Sequence, residues 1–531
     1  MALINLGDLW QYQARANTVP ANPGAVAVPS SGWLGPAPAP FGTIGPSFQT
    51  GLNLGTPWAV NTGLWVRRGI VTDGSDGVRL RGQIDNAAFI YVDGQLVGQI
   101  NPGNDAAPPP SARNNLDLII PKSRLAAGTH QLAILLLSDG SGADTTFFWL
   151  EADYSPPVMS LWPRTPMQEA IAWLTDLSIS ENGTEEREQV RDVPRHSYRM
   201  SAFVPIAEQR RVANMLYGQR GKQWLVPIWS QVRHLGQIVA GETSLAFDTR
   251  FAEYRAGSPL LLWQSPQQYQ VCGVDDVTSD EAISLSTPTE AFTDAYVMPV
   301  RAGYLESDPQ RAFNGRQGSV DLAFAIEDNA ALAPAAPAQY LGDDFYSDVS
   351  LLDGGSLTES IVTAFDLIDE QLGLVSYRTP WRYNRPSRVH RMMGDGMEEA
   401  WAIRQFLHRR AGRYRQFWQP TFESDLKPLN TGNVTTSLTV AADGYLRFAA
   451  DRKHIAIETP GGWLPRRITA TLQTGANQVQ LTLDSSIATP AAQIGRVSFL
   501  GLRRLDTDRA EVQWIGGSVC ACAVNTVEIQ P

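Results

Sequence analysis

The feature that most constrains this chain is a unit written twice. From Asp176 to Trp229 the sequence carries an NGTEEREQVRDVPRHSYRM segment, a helix-like PIAEQRRVANMLYGQRG and an aromatic KQWLVPIW. About 190 residues later, YNRPSRVHRMMGDGMEEAWAIRQFLHRRAGRYRQFWQPTF repeats the plan. Pro194 and Pro386 lie 192 residues apart, as do Arg199-Met200 and Arg391-Met392. Val212 with Ile403, Leu216 with Leu407 and Gly221-Lys222 with Gly412-Arg413 keep a spacing of 191. Farther on, Thr243-Ser244-Leu245 matches Thr436-Ser437-Leu438 at 193, LESD (305–308) matches LDTD (505–508) at 200, and Ser319-Val320 matches Ser518-Val519 at 199. So small a drift over so long a stretch marks a duplication.

The duplication sets the expected domain bounds. Residues 156–330 form a first module, 331–338 an Ala/Pro linker that Pro keeps semi-rigid, and 339–531 a second, diverged module. Each module reads strand, helix, strand, then a β-rich segment (243–304 and 436–504). Val212, Met215 and Leu216, like Ile403, Phe406 and Leu407, recur at i, i+3, i+4, the period of one buried helical stripe. Gly221 and Gly412 stand where a left-handed C-cap is needed, beside basic residues that suit a helix C-terminus.

Residues 1–155 precede the repeat. Gly (45) and Pro (35) separate short Val/Ile/Leu-rich runs throughout the chain, the pattern of strands between turns. Strands are expected at 64–71, 78–84, 88–92, 116–120, 131–137 and 145–151. In VRLRGQI, Val78 and Leu80 alternate with Arg79 and Arg81, the period of a half-buried strand. The expected fold class is therefore mainly β: an N-terminal β-sandwich followed by two tandem β-rich modules, each with one short α-helix. The order WVRRGI, AAFIYVDGQLVGQIN, LIIPKSRLAAGTHQLAILLLSDG and FFWLEADY resembles the galactose-binding-like jelly roll, a carbohydrate-binding sandwich. That resemblance implies a surface glycan as a possible ligand. Trp33, Trp58, Trp65 and Tyr91 would supply stacking faces, with Asn104 and Asp105 among the loop residues for hydroxyls.

The first module carries a second resemblance. WLTDLSISENGTEEREQVRDVPRHSYRM followed by YGQRGKQWLVPIW resembles the opening of long-tailed bacteriophage tail-tip and baseplate proteins, the distal-tail and hub group. The second module lacks the G-x-E-x-R element. The resemblance implies a structural virion protein at the tail tip, made and assembled in the bacterial host cytoplasm, working in a ring with tail tube, hub and fibre proteins as partners. Two similar modules per chain suit a ring of three chains meeting a six-fold tube. Glu186, Arg187, Arg195, Lys222, Trp229, Arg413 and Trp418 are the expected assembly residues. The alternative is a host-recognition protein whose N-terminal domain binds a cell-surface glycan.

Other chemistry is weakly represented. A net charge of −11 gives no basic footprint for nucleic acid. The Arg-rich 404–415 segment is expected to be a charged helix face at a subunit contact. The opening MALINLGDLWQYQ does not read as an export signal, and no apolar run approaches the ~20 residues of a membrane span. Catalytic signatures such as G-x-S-x-G, H-E-x-x-H and Walker loops are missing, so no enzyme activity and no cofactor are expected. Three cysteines cannot build a disulfide framework. Cys520 and Cys522, at i and i+2 of a strand, share one face. With Cys272 they are the only candidate thiolates for a metal, one short of the usual four, and two small buried residues is the favoured reading.

Overall fold

The computed structural model describes residues 3–529 apart from 44–54, 75, 102–112, 140–145, 220, 315–316, 333, 348–357, 370, 372 and 382–383. The chain is mainly β, with three short helices, α1 (Gln209–Gly218), α2 (Met397–Arg410) and α3 (Tyr445–Phe448), among the described residues. No helix among them is long and apolar enough to cross a membrane.

Compactness divides the chain into two units that are not its successive modules. One holds Met1–Thr165 with Arg199–Asp328, the other Pro166–Tyr198 with Asn329–Pro531. Pro166–Tyr198 of the first module therefore belongs to the second unit.

In the first unit, residues up to Tyr154 form a two-sheet sandwich. One sheet runs Leu34–Pro38, Leu9–Ala16, Thr62–Thr72, Gly128–Leu137, Ala87–Val92, Gln95–Ile100. The other runs Thr56–Pro57, Phe41–Gly42, Phe147–Tyr154, Val78–Asp85, Arg113–Ile120. The expected strands form, the last of them from Phe147 on, with Thr145 outside the described residues. In VRLRGQI alternation fixes which face is inward, with Val78 and Leu80 buried and Arg81 exposed, while Ala87–Val92 is buried on both faces. Trp10, Phe41, Val66, Ile90, Ile134 and Phe148 fill the space between the sheets. A second apolar cluster (Trp65, Phe89, Tyr91, Leu135) lies under Val19, Val26, Val28 and Trp33.

The remainder of this unit is the rest of the first module. Arg233–Ile238, Phe292–Leu305, Pro259–Trp263, Tyr269–Ser279, Ala282–Leu285 and Ser244–Ala246 pair in that order around Leu260, Leu262, Val274, Ile283 and Val297. The second unit repeats these pairings. Val497–Leu505, His454–Thr459, Gly462–Gly475, Gln478–Leu483 and Ser437–Ala441 follow one another, and bridges Leu426↔Val497 and Pro428↔Val440 close the circuit. Trp224–Pro227 pairs with Phe292–Leu305 as Phe417–Pro420 pairs with Val497–Leu505. Gln310–Phe313 pairs with Gly318–Ile326 as Arg509–Trp514 pairs with Val519–Ile529. The duplication is thus one of fold as well as of sequence.

The helices are buried unequally. α2 buries Ile403 and Leu407, whereas α1 buries Val212 alone and leaves Met215 and Leu216 half-exposed. Gly221 and Gly412 adopt φ of 68° and 67°, as a left-handed cap requires.

Candidate assembly interface

The second unit is built around the piece it takes from the first module. Met167–Ala172 runs antiparallel along Arg509–Trp514, so six residues of the first copy extend a sheet of the second. A hairpin follows, Thr175–Ile179 with Glu185–Gln189. Period-2 alternation sends Glu185 and Arg187 to one face and Glu186 to the other, and the face carrying Glu185 and Arg187 is the docked one.

Glu185, with 3% of its side chain exposed, is gripped from two sides. Arg504 donates from Nε at 2.7 Å and from Nη2 at 2.9 Å, and Arg385 donates from Nη1 at 2.7 Å. Such a forked arginine–carboxylate pair fixes orientation as well as energy. Burial alone would raise the Glu185 carboxyl, but Arg504, then Arg385 and Arg187, hold it below the usual carboxylate range. Arg187 reaches the Tyr414 carbonyl at 3.1 Å and Gln416 Oε1 at 2.5 Å. At the hairpin's other strand, Asp508 accepts from the Thr175 amide at 2.9 Å and its hydroxyl at 2.8 Å, and from the Arg413 amide at 2.9 Å. Burial opposes the Asp508 charge, and these donors, with the Arg413 cation, lower its pKa regardless.

The inserted strand itself carries Glu169, fully buried. Arg404 donates to it at 2.8 Å, the Tyr198 hydroxyl at 3.2 Å and Trp514 Nε1 at 3.2 Å, while the His196 ring lies 3.3 Å away. Asp344 takes Arg409 at 2.8 and 3.0 Å and Arg410 as well; burial acts against its charge, and the two guanidinium groups lower its pKa. The Arg-rich segment is therefore turned largely inward, onto carboxylates of its own unit. The segment remains a charged helix face, with Arg404, Arg409 and Arg410 held by carboxylates of their own unit and Arg415 exposed. A cleft of about 570 Å³ beside the hairpin is lined by Glu186, Arg187, Asp343, Arg409 and Arg415 among others.

The remaining expected assembly residues divide by burial. Glu186, Arg195 and Lys222 are exposed, and Lys222 lines a cleft of about 580 Å³ with Arg79, Gln223, Tyr304 and Glu327 in the first unit. Arg413 holds Asp508 at 3.3 Å. Trp229 and Trp418 are core residues, 3% and 2% exposed: Trp229 packs on Trp162 and Trp263, and Trp418 on Tyr340 and His454. They support the fold and present no outer surface.

The expected glycan residues do not form a stacking site. Trp58 is 2% exposed, inside the sandwich core, with Nε1 on the Thr62 carbonyl. Tyr91 and Trp65 are covered, and the Tyr91 hydroxyl donates to the Pro23 carbonyl. Trp33 is half-buried and carries the Arg67 guanidinium 4.1 Å from its ring centroid. Asn104 and Asp105 lie outside the described residues. Cys272, Cys520 and Cys522 are buried free thiols, and burial pushes them up to about 12, 11 and 12. Cys520 and Cys522 do share the inner face of their strand. No group of three or more His, Cys, Asp or Glu among the described residues could hold a metal ion.

No protein-family model matches this chain, and no curated protein is similar to it. The contacts of the interface are arginine–carboxylate pairs, hydrogen bonds with one neutral partner such as those of Thr175 and Gln416, and a backbone ladder, which are the means by which protein surfaces hold one another.

Sequence reasoning missed Glu169, Asp344 and Asp508, because single acidic residues among 54 carry no signal. It also placed the weight on Glu186, when alternation within TEEREQ sends Glu185 to the side that Arg187 occupies.

Proposed function

We propose that this chain is a structural component of a long-tailed phage tail tip or baseplate. It joins the tail tube to the host-contacting apparatus within a ring, and it works without catalysis. One observation carries the reading: the chain builds one module twice and seats the strand and hairpin of the first copy in the second. That is how neighbouring subunits of a ring are joined, here written into one polypeptide. The G-x-E-x-R element, on which the resemblance to tail-tip proteins rests, supplies the two docked residues Glu185 and Arg187. With two modules per chain, three chains give the six similar positions that a six-fold tube presents. The chain is then a virion protein, made in the host cytoplasm, whose N-terminal sandwich decorates the ring.

The test is to image particles carrying a dense label on the N-terminal domain. The label is expected at the tail tip in a ring of three. Its absence from purified particles would overturn the reading, and six labels per ring would overturn the stoichiometry.

A further inference from the structure

The second copy builds the same insert as the first. At a constant spacing of 190, Glu169, Ile171, Asp176 and Leu177 correspond to Glu359, Ile361, Asp366 and Leu367. The strand Met167–Ala172 thus has its counterpart in Thr358–Val362, and the docked hairpin has its counterpart in Asp366–Ile368 with Ser376–Arg378. Thr358–Val362 pairs on one side with Arg385–Val389, and no strand pairing on its other side is found among the described residues. Ile171 is fully buried while Ile361 is 66% exposed. Val375 and Tyr377, which stand where Glu185 and Arg187 stand, are 44% and 71% exposed. A strand edge exposing Ile361 and Val362, with Leu367, Ile368, Val375 and Tyr377 exposed on the hairpin beside it, is a template for another chain.

The first module holds the matching acceptor. The edge that receives the insert in the second copy is Arg509–Trp514, and its counterpart Gln310–Phe313 pairs only with Gly318–Asp321 among the described residues and is exposed throughout. Arg413, Arg504 and Asp508, which the first hairpin covers, correspond to Lys222, Tyr304 and Asp308, all exposed. The glycines beside them agree. A Cβ on Gly412 would meet Asp508 Cα and Trp173 Cβ at 3.1 Å, whereas one on Gly221 would meet nothing within 4 Å. The substitutions are also complementary. The Glu185–Arg504 ion pair becomes Val375 facing Tyr304, apolar on apolar. Gln223, the counterpart of Gln416, is already engaged by Arg79 at 2.9 Å and Glu327 at 2.6 Å, and Tyr377 needs no such acceptor.

We infer that Thr358–Val362 and the hairpin after it dock on the first module of a second copy of this chain, along Gln310–Phe313 and over Lys222, Tyr304 and Asp308. The join is head-to-tail, so it closes into a ring when the rotation allows. It deepens the ring reading above, on which it rests for the presence of neighbouring copies.

The register names the test. Ala170 faces Glu511 in the existing join. The ladders that align Leu305 with Leu505 align Gln310 with Glu511, so Ser360 of one chain should face Gln310 of the next. Full-length Ser360→Cys and Gln310→Cys variants are mixed under oxidising conditions. The expected result is a disulfide between the two different chains, much reduced with either variant alone. Ile361→Arg should abolish self-association while leaving the melting of the separate chain unchanged, since the side chain is exposed there. Assembly that survives Ile361→Arg with no mixed disulfide would overturn this joint and leave the ring reading standing. A chain that stays monomeric at every concentration would overturn both. A disulfide formed within one doubly substituted monomer would overturn the intermolecular assignment.

Discussion

The two copies of the insert share a strand, a hairpin and a sequence pattern, yet one is buried and the other open. In the first, Thr175, Glu185 and Arg187 meet polar partners that match them one for one. In the second, the same positions are Phe365, Val375 and Tyr377, all exposed. The element's shape is therefore set locally, by strand and turn, and its burial by whether an acceptor is at hand. The docking proposed for the second copy would also account for its lack of the G-x-E-x-R residues. Glu185 and Arg187 answer to Arg504, Arg385 and Gln416, and a hairpin with a different acceptor needs different side chains.

The comparison can be broken most forcefully at Glu169. Glu169→Ala would leave Arg404 buried without its carboxylate, a loss on the order of 3–5 kcal/mol for the second unit, seen as a lower midpoint in denaturant. Next, Ile171→Ala should cost about 2–5 kcal/mol and Ile361→Ala less than about 0.5 kcal/mol in the separate chain. Equal losses would mean the two inserts are covered alike. Glu185→Gln keeps the shape but weakens a charge-assisted fork, at about 1–3 kcal/mol, whereas Glu186→Ala should be silent. The glycine pair sharpens the picture at the smallest scale. Gly221→Ala pays only for its left-handed backbone, about 1 kcal/mol, and Gly412→Ala should cost more because the new methyl meets Asp508 and Trp173.

Acidity should separate the units too. Glu185, Asp344 and Asp508 have folded pKa values below their unfolded ones. Their contribution is therefore complete above about pH 4 and lost as pH falls through the folded values. His390 acts earlier. Burial, then the charges of Arg503 and Arg388, lower it to about 3. The unfolded chain takes up that proton near pH 6.5, so stability declines steadily from there down to about 3. Melting of the second unit should flatten between those limits in His390→Phe, and an unchanged slope would contradict the assignment.

Much of this was legible in the sequence. Val78–Asp85 followed from alternation, the other sandwich strands from short apolar runs between turns, and the duplication from spacing. α2 followed from its stripe more closely than α1, whose Met215 and Leu216 find too little to pack against. The exchange of Pro166–Tyr198 into the second unit left no local sign, because Met167–Ala172 pairs with residues more than 300 positions away. The repeat did carry a further trace in the spacing of Glu169 to Glu359 and Asp176 to Asp366, which extends it upstream of Asp176. Burial was harder to read. Arg404 and Arg410 look like surface residues until their carboxylates are in view, and Trp58 looks available until the second sheet closes over it.

The central claim is that one insert has its acceptor within the chain and the other finds it on a neighbour. Amide hydrogen exchange on the separate and the assembled full-length chain tests this directly. Residues 167–172 and 185–189 should be protected in both forms, while the outward amides of 358–362 and those of 376–378 should exchange fast in the separate chain and slow on assembly. Fast exchange at 358–362 and 376–378 in the assembled form, or in both forms at 167–172, would contradict it.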